Sequence, residues 1–517
     1  MIKQNNYINI DYMSINLNLP SLDHNPVLLA EIRPNKIAEF IERIPFNNIF
    51  SAATVLLEEM QILNRQKVSA DSRTKALELY RPAVIRITDE LSKQYISNNV
   101  VPMQSKVKSC ASAAELLWLE LSYGYKMAWV DTQNKRLSIG TNKTSALIIQ
   151  RAVDSLNQLC LVYYNIYFTP PASIWSDLHQ LYFSAVQQNL DMIEVSEPQD
   201  KNNVGSVNLA YVHTLLVALA NPQHLAKADI QRVFHYLSNL AELGIVRGIG
   251  SIDDTSGLFL IKLDSNKPPI PFLKSQSTPN ASNDILLITL DIARKMHQHL
   301  QLLKSGKLPP DNILPADAVE SHYEDLLTYL IKHLGATPKR LFSRAKKDNK
   351  VHLVFGIADI HQTLDSSTKN TTKISVWQVQ NTSASGYALK KFQSSEVSVK
   401  VGDFVTMKES TTSDWSIAVL RWIIADEQNQ LNIGLQLIAP NVNAISIKSA
   451  KLTHFENALI LPEISGLKQP MTIVASRGIY SPALVIDMMQ DGIVRQVLAT
   501  KLIERTASVE RFQFSWL

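Results

Sequence analysis

Cysteine is nearly missing from this chain: Cys110 and Cys160 are its only two. Neither belongs to a Cys-x-x-Cys pair or a Cys/His spacing, which excludes a disulfide framework and a thiolate metal centre as organising devices. Both lie in apolar stretches of helical spacing, where a thiol behaves as a small buried hydrophobe. Charge excess is lacking too. With 51 Lys and Arg against 47 Asp and Glu, the net charge of +4 is too small over 517 residues to make the whole surface a binder of nucleic acid or membrane. Any basic site must be local. No apolar run reaches the ~18–20 residues a membrane helix needs. Met1-Ile2-Lys3-Gln4-Asn5-Asn6 is not the charged start and apolar core of an export signal, so the expected location is the cytoplasm.

Catalytic signatures are also wanting. There is no GxSxG, HExxH, Walker or kinase pattern. Gly248-Ile249-Gly250 has no third glycine at the right offset and no following Lys-Ser/Thr, so it is not a phosphate loop. His297 and His299 stand two apart on a helical pattern and face different ways, which rules out a chelating pair. Asp253-Asp254 reads as a turn. No enzyme, metal site or cofactor is expected.

What is present divides into a helical part and a β part. At about 150 residues per domain, this length suggests two to four domains. Residues 1–33 mix Asn, Asp, Ser and Pro without a period and read as an arm docking on the body. Residues 34–335 read as a helical domain, with helices near 34–44, 50–66, 71–98, 105–129, 143–167, 171–193, 206–220 and 227–242. Pro82 predicts a break or kink, and Asp71-Ser72 and Ser173 to Asp177 supply capping residues. The aromatics Tyr163, Tyr164, Tyr167, Phe168, Trp175, Tyr182 and Phe183 read as interhelical packing. A short hairpin is expected near 245–263 and an exposed loop over 264–284. Helices follow near 285–305 and 315–334, the second capped by Gly335 and stopped by Pro338.

Beyond 350 the period changes to two. Strands are expected at 351–356, 376–379, 397–403, 415–419 and 431–437, enough for a small antiparallel barrel over 336–448. Residues 449–517 continue as a β extension, with strands near 458–461, 471–474 and 494–498. The fold class is therefore multidomain, an all-helical region followed by an antiparallel β-barrel with a β extension.

The junction carries the candidate site. Lys339, Arg340, Arg344, Lys346, Lys347 and Lys350 face Asp348 alone. Two arginines in one short segment can each present a planar fork to phosphate oxygens or to the O6/N7 edge of guanine, or stack on a purine. Without further context such a run is also what a solvated linker looks like. Farther on, Asn381 can bond a base edge or cap a turn, Ser383 adds a hydroxyl, and Gly386 permits a positive φ or close approach.

Arg340-Leu341-Phe342-Ser343-Arg344 fits RxxxR and Asn381-Thr382-Ser383-Ala384-Ser385-Gly386 fits (D/N)xSxxG. In this order at the entrance to a small barrel, they resemble the PilZ domain, the receptor module for cyclic di-GMP. Val401-Gly402-Asp403, Val419-Leu420-Arg421-Trp422 and Ile433-Gly434-Leu435-Gln436-Leu437 look like that family's later strands, and the resemblance spans about 336–445. The polar run Asp365 to Thr372 is the expected insertion between the motifs. The resemblance implies that Arg340 and Arg344 hold the guanines and phosphates, that Asn381 and Ser383 contact a guanine, that Gly386 keeps the surface open, and that Lys339 influences stoichiometry. Signatures of cyclic di-GMP synthesis or breakdown are lacking. The expected partners are cyclic di-GMP and a protein engaging the helical domain; nucleic acid and an integral membrane segment are not expected. Nucleotide binding would order the basic loop, whose like charges oppose compaction when empty, and alter the helical region's interactions. The alternative is a protein-interaction scaffold whose barrel binds no nucleotide, against which the joint presence of Arg340, Arg344, Asn381, Ser383 and Gly386 argues.

Overall fold

Caps and apolar spacing account for the helical part. In the computed structural model, α1 (Pro34–Glu42) opens on a proline, whose missing N–H has no partner to lose there. The side chains of Asn48, Ser69 and Thr141 accept backbone N–H bonds at the starts of α2 (Ile49–Asn64), α3 (Ala70–Ser97) and α5 (Asn142–Asn165). Ser69, not Asp71-Ser72, therefore caps α3. Pro82 does not break that helix, because Tyr80, Ala83, Val84 and Ile87 are buried around it and hold the turn in place. Next come α4 (Ser105–Gln133) and α6 (Ala172–Gln187), which follows Pro171 with no side-chain cap. Asn189, at φ 55, turns the chain soon after α6, ahead of the expected 193. The pair β1 (Val195–Ser196) and β2 (Val204–Gly205), then α7 (Val207–Leu219) and α8 (Lys227–Ser238), complete this stretch. All statements here concern the described residues, which are those other than 1–14, 99–100, 134–140, 198–203, 251, 253, 274–278, 281, 320–321, 336–344, 365–372, 393–396, 411–413, 429, 451, 465, 467–468 and 507.

Tyr164, Tyr167, Trp175, Tyr182 and Phe183 are buried, and Tyr182 stacks on Tyr211 with ring centroids 4.0 Å apart. Cys110 and Cys160 are buried free thiols. The arm docks through Leu17, which is buried, and through Asn18, whose N–H donates to Asp177. No helix among the described residues is long and apolar enough to cross a membrane, and no cluster of them is suited to a metal ion.

The expected hairpin at 245–263 does not form. β3 (Ile245–Gly248) and β4 (Leu258–Lys262) are separated by β6 (Asp284–Ile288), to which both pair, and β5 (Ile270–Pro271) adds an edge to β4. Ile285, Leu286 and Leu287 are fully buried, and a central strand covered on both faces reads as a continuous apolar run, which the sequence reading merged with the next helix. α9 (Leu290–Lys304) and α10 (Tyr323–Gly335) follow. Gly335 ends α10 where a Cβ would stand 2.9 Å from that of Ala293, so it allows close packing against α9.

The β part contains two closed barrels within one compact unit, separate from the helical unit. In the first, β8 (Lys350–Phe355) leads through α11 (Ile357–Leu364) to β9 (Ser375–Ser383) and β10 (Gly386–Lys391). β11 (Phe404–Glu409), β12 (Ser416–Ala425) and β13 (Leu431–Ala439) complete it. β10 pairs with both β13 and β9, which closes the ring. A short β7 (Ala345–Lys346) lies on the same side of β9 as β8, so the two form one strand line interrupted at Lys347 to Asn349. The strand expected at 397–403 is a loop in which Val399 bridges Val101 and Gly402, at φ 91, turns into β11. Val397 and Val399 are buried from a loop, so the spacing of the valines imitates a strand.

The second barrel is β14 (Asn443–Ser449), β15 (Glu456–Leu461), β16 (Thr472–Ser476), β17 (Val485–Gln490), β18 (Ile493–Arg505) and β19 (Val509–Trp516), in ring order β14-β15-β16-β19-β18-β17. The expected extension is thus a barrel with its own interior, and β14 belongs to it although 443–448 had been placed with the first barrel. Phe404, Ile417 and Val419 of the first barrel share a buried cluster with Ile360, Leu459, Val474 and Val509.

Asp403 lies in this packed region, accepting the Lys400 N–H at 2.8 Å, and burial pushes its carboxyl up from 3.8 to about 6. A raised folded-state pKa gives stability that is complete below the ordinary value and is lost as pH rises through about 6. The two-barrel unit is therefore expected to be less stable at pH 8 than at pH 5, by about 1.5 kcal/mol from this group, the rest of the loss falling between pH 3.8 and pH 5. Asp403→Asn should flatten that dependence in melts read across this pH range.

Candidate functional site

The Asn381–Gly386 motif is a tight hairpin. Ser383 pairs with Gly386, leaving Ala384-Ser385 as the turn between β9 and β10, and the Ser385 carbonyl accepts the Leu437 N–H at 3.0 Å. Beside it opens a cleft of about 180 Å³ walled by Asn381, Ser383, Ser385, Arg421, Trp422 and Gln436. Its floor uses small residues, Gly386, Ala388 and Gly434. A Cβ on Gly386 would overlap the Leu435 carbonyl, and one on Gly434 would overlap the Trp422 indole. Gly386 is thus required by the neighbouring strand, and its φ is not left-handed.

Two β-bulges aim the walls. Asn381 pairs with Ala388 but Val379 pairs with Leu389, which leaves Gln380 extra and resets the strand's phase just before Asn381. On β12, Leu420 pairs with Leu435 and Trp422 with Gly434, so Arg421 is the extra residue. Leu420 and Ile423 are fully buried while Arg421 and Trp422 both stay partly exposed, two successive residues outside the alternation. The Arg421 Nε donates to Gln436 Oε1 at 2.7 Å, and its Nη1 lies 2.6 Å from Glu504 Oε1. Among the described lining residues Arg421 alone is charged. An aromatic face, amide edges, hydroxyls and one guanidinium suit a planar, hydrogen-bonding, anionic ligand.

Lys339, Arg340 and Arg344 lie outside the described residues, as does the insertion at 365–372. Ala345 pairs with Thr382 and Lys346 with Asn381. Lys347 bonds both carboxylate oxygens of Glu409 at 2.9 Å, Asn349 reaches the same group at 3.2 Å, and the Tyr387 hydroxyl donates to it at 2.8 Å. The Lys347 bond, aided by the other two, holds Glu409 below its ordinary range against burial. Burial and this carboxylate push Tyr387 up to about 12. Lys346 and Asn381 are far apart in sequence, yet β7 and β9 bring them together beside the hairpin.

Sequence reasoning gave no role to Tyr387, Arg421, Trp422, Gln436, Lys347 or Glu409. Arg421, Trp422 and Gln436 had been seen only as strand residues, because a bulge has no signature in a period-two pattern. Lys347 is part of the local basic excess in the sequence, and in the fold it pairs with Glu409.

Comparison with known families agrees with this architecture. Residues 35–246 match the family described as the N-terminal domain of cyclic-di-GMP receptor FimW, residues 361–443 match the middle PilZ domain of that receptor, and residues 443–517 match the FimW C-terminal beta-barrel domain. A Pseudomonas aeruginosa protein named cyclic-di-GMP receptor FimW is 21% identical over 575 residues, covering 97% of this chain and 93% of that protein. The PilZ match contains Asn381, Ser383, Gly386 and Arg421 and begins after the arginine pair.

The glycine floor is open to direct test. Gly386→Ala is expected to cost ~2 kcal/mol by forcing β10 from β13, and Gly434→Ala to displace the Trp422 indole. Melting and tryptophan emission read the two effects.

Proposed function

We propose that this chain, whose first barrel is a PilZ domain set after a long helical region, is a receptor for cyclic di-GMP. Arg340 and Arg344, with Lys339 beside them, close over a ligand seated against Asn381, Ser383 and Gly386. The observation that carries this reading is the pairing of Ala345 with Thr382 and Lys346 with Asn381. This pairing sets the two residues that follow the arginine motif in sequence against the strand that carries Asn381. A dianionic dinucleotide supplies what the two halves need, phosphates and guanine edges for the forks and a base face for Trp422. The name of the Pseudomonas aeruginosa relative points to the same ligand.

In this reading the nucleotide orders the arginine segment and changes what the helical region binds, an ordering switch at a domain junction, with a protein partner on the helices. The role is binding in the cytoplasm, without catalysis and without a cofactor. Calorimetric titration should show saturable binding of cyclic di-GMP. Arg340→Ala with Arg344→Ala should weaken it about a hundredfold or more, two charge-assisted bonds being lost. At 100 times its dissociation constant the nucleotide should add ~2.7 kcal/mol of stability and protect the 336–344 segment from proteolysis. No binding, or binding indifferent to both arginines, would sink the proposal.

A further inference from the structure

Arg421 is held by a residue of the other barrel. Its Nη1 lies 2.6 Å from Glu504 Oε1, and Glu504 Oε2 lies 3.8 Å from Nη2 of a second arginine, Arg511. One carboxylate therefore serves two guanidinium groups. The three differ in access to water: the Arg421 side chain is 36% exposed, against 14% for Glu504 and 13% for Arg511. The cleft side of the triad is thus its wet side, and Arg511 keeps a buried Nε–H without a hydrogen-bond partner.

Both charged groups owe their aim to irregular pairing. Arg421 is the extra residue of the β12 bulge. On β18, Leu502 pairs with Phe512 and Glu504 with Arg511, so Ile503 is extra and Glu504 follows the break. Regular alternation in either strand would change the direction of one partner.

We infer that Glu504 is an affinity-determining residue for the cleft, a built-in competitor that neutralises Arg421 until an anionic ligand takes its place. The inference rests on the receptor reading above and deepens it. In the cleft the one described cation is paired with Glu504 and tied to Gln436. A phosphate or guanine edge has to draw the guanidinium from this carboxylate, and part of the binding energy is spent on the exchange. Glu504 then turns wholly to Arg511, whose unpartnered N–H is a ready donor. Occupation of the first barrel would thereby tighten an ion pair inside the second.

The test is calorimetric titration of the full chain with cyclic di-GMP, comparing wild type, Glu504→Gln, Arg421→Ala and the double variant, each with a melting curve. Glu504→Gln keeps the shape and removes the charge, and should bind about three- to fivefold more tightly, the scale of one partly exposed ion pair. Glu504→Asp, which withdraws the carboxylate by one methylene, should fall between wild type and Glu504→Gln and serves if the amide variant folds poorly. Arg421→Ala should bind more weakly, and adding Glu504→Gln to it should bring no gain. Normal wild-type binding with unchanged or weaker binding by Glu504→Gln overturns this inference alone, as does a gain that survives without Arg421. A wild-type chain that binds no cyclic di-GMP overturns the receptor reading and this inference together.

Discussion

Closure of the first barrel is the constraint on which the site depends. The ring closes only because β9 is flanked on one side by β10 and on the other by the interrupted line of β7 and β8. That interruption lets the chain arriving from the helical unit join at Asn381 and Thr382. Two residues of ladder are a weak attachment by themselves. The bonds of Lys347, Asn349 and Tyr387 to Glu409 reinforce it, tying the segment after the arginines to β10 and β11 at once. Ala345, Lys346 and Lys347 are therefore held next to the hairpin.

The same barrel gains chemistry by departing from regularity. A perfectly alternating strand presents every second side chain outward, and a cleft needs neighbouring ones. The bulges at Gln380 and Arg421 supply this, and small residues beneath them leave room between the walls. The bulge at Ile503 applies the same device on the facing barrel, so the ion pair between Arg421 and Glu504 joins two local faults in otherwise ordinary ladders.

Local patterns made much of this legible. Helical spacing located most of the helices, and the change of period located the β part. Asn381, Ser383 and Gly386 were recognisable because the hairpin keeps them contiguous. What escaped depends on pairing. β6 was hidden because a strand buried on both faces lacks alternation, and 397–403 was read as a strand because loop valines happened to alternate. Pro82 does not end α3, since spacing shows nothing of the packing that keeps the helix continuous through it. Arg421 and Glu504 could not be joined from sequence, since their meeting requires two barrels and a bulge in each.

The two barrels also share apolar substance. Phe404, Ile417 and Val419 are buried together with Leu459, Val474 and Val509, so a cut at residue 443 separates two sequence families but divides one hydrophobic cluster. The cleft is consequently not a portable part. A sensor assembled by grafting it into another scaffold has to carry the second barrel as ballast, or replace the apolar face that barrel covers.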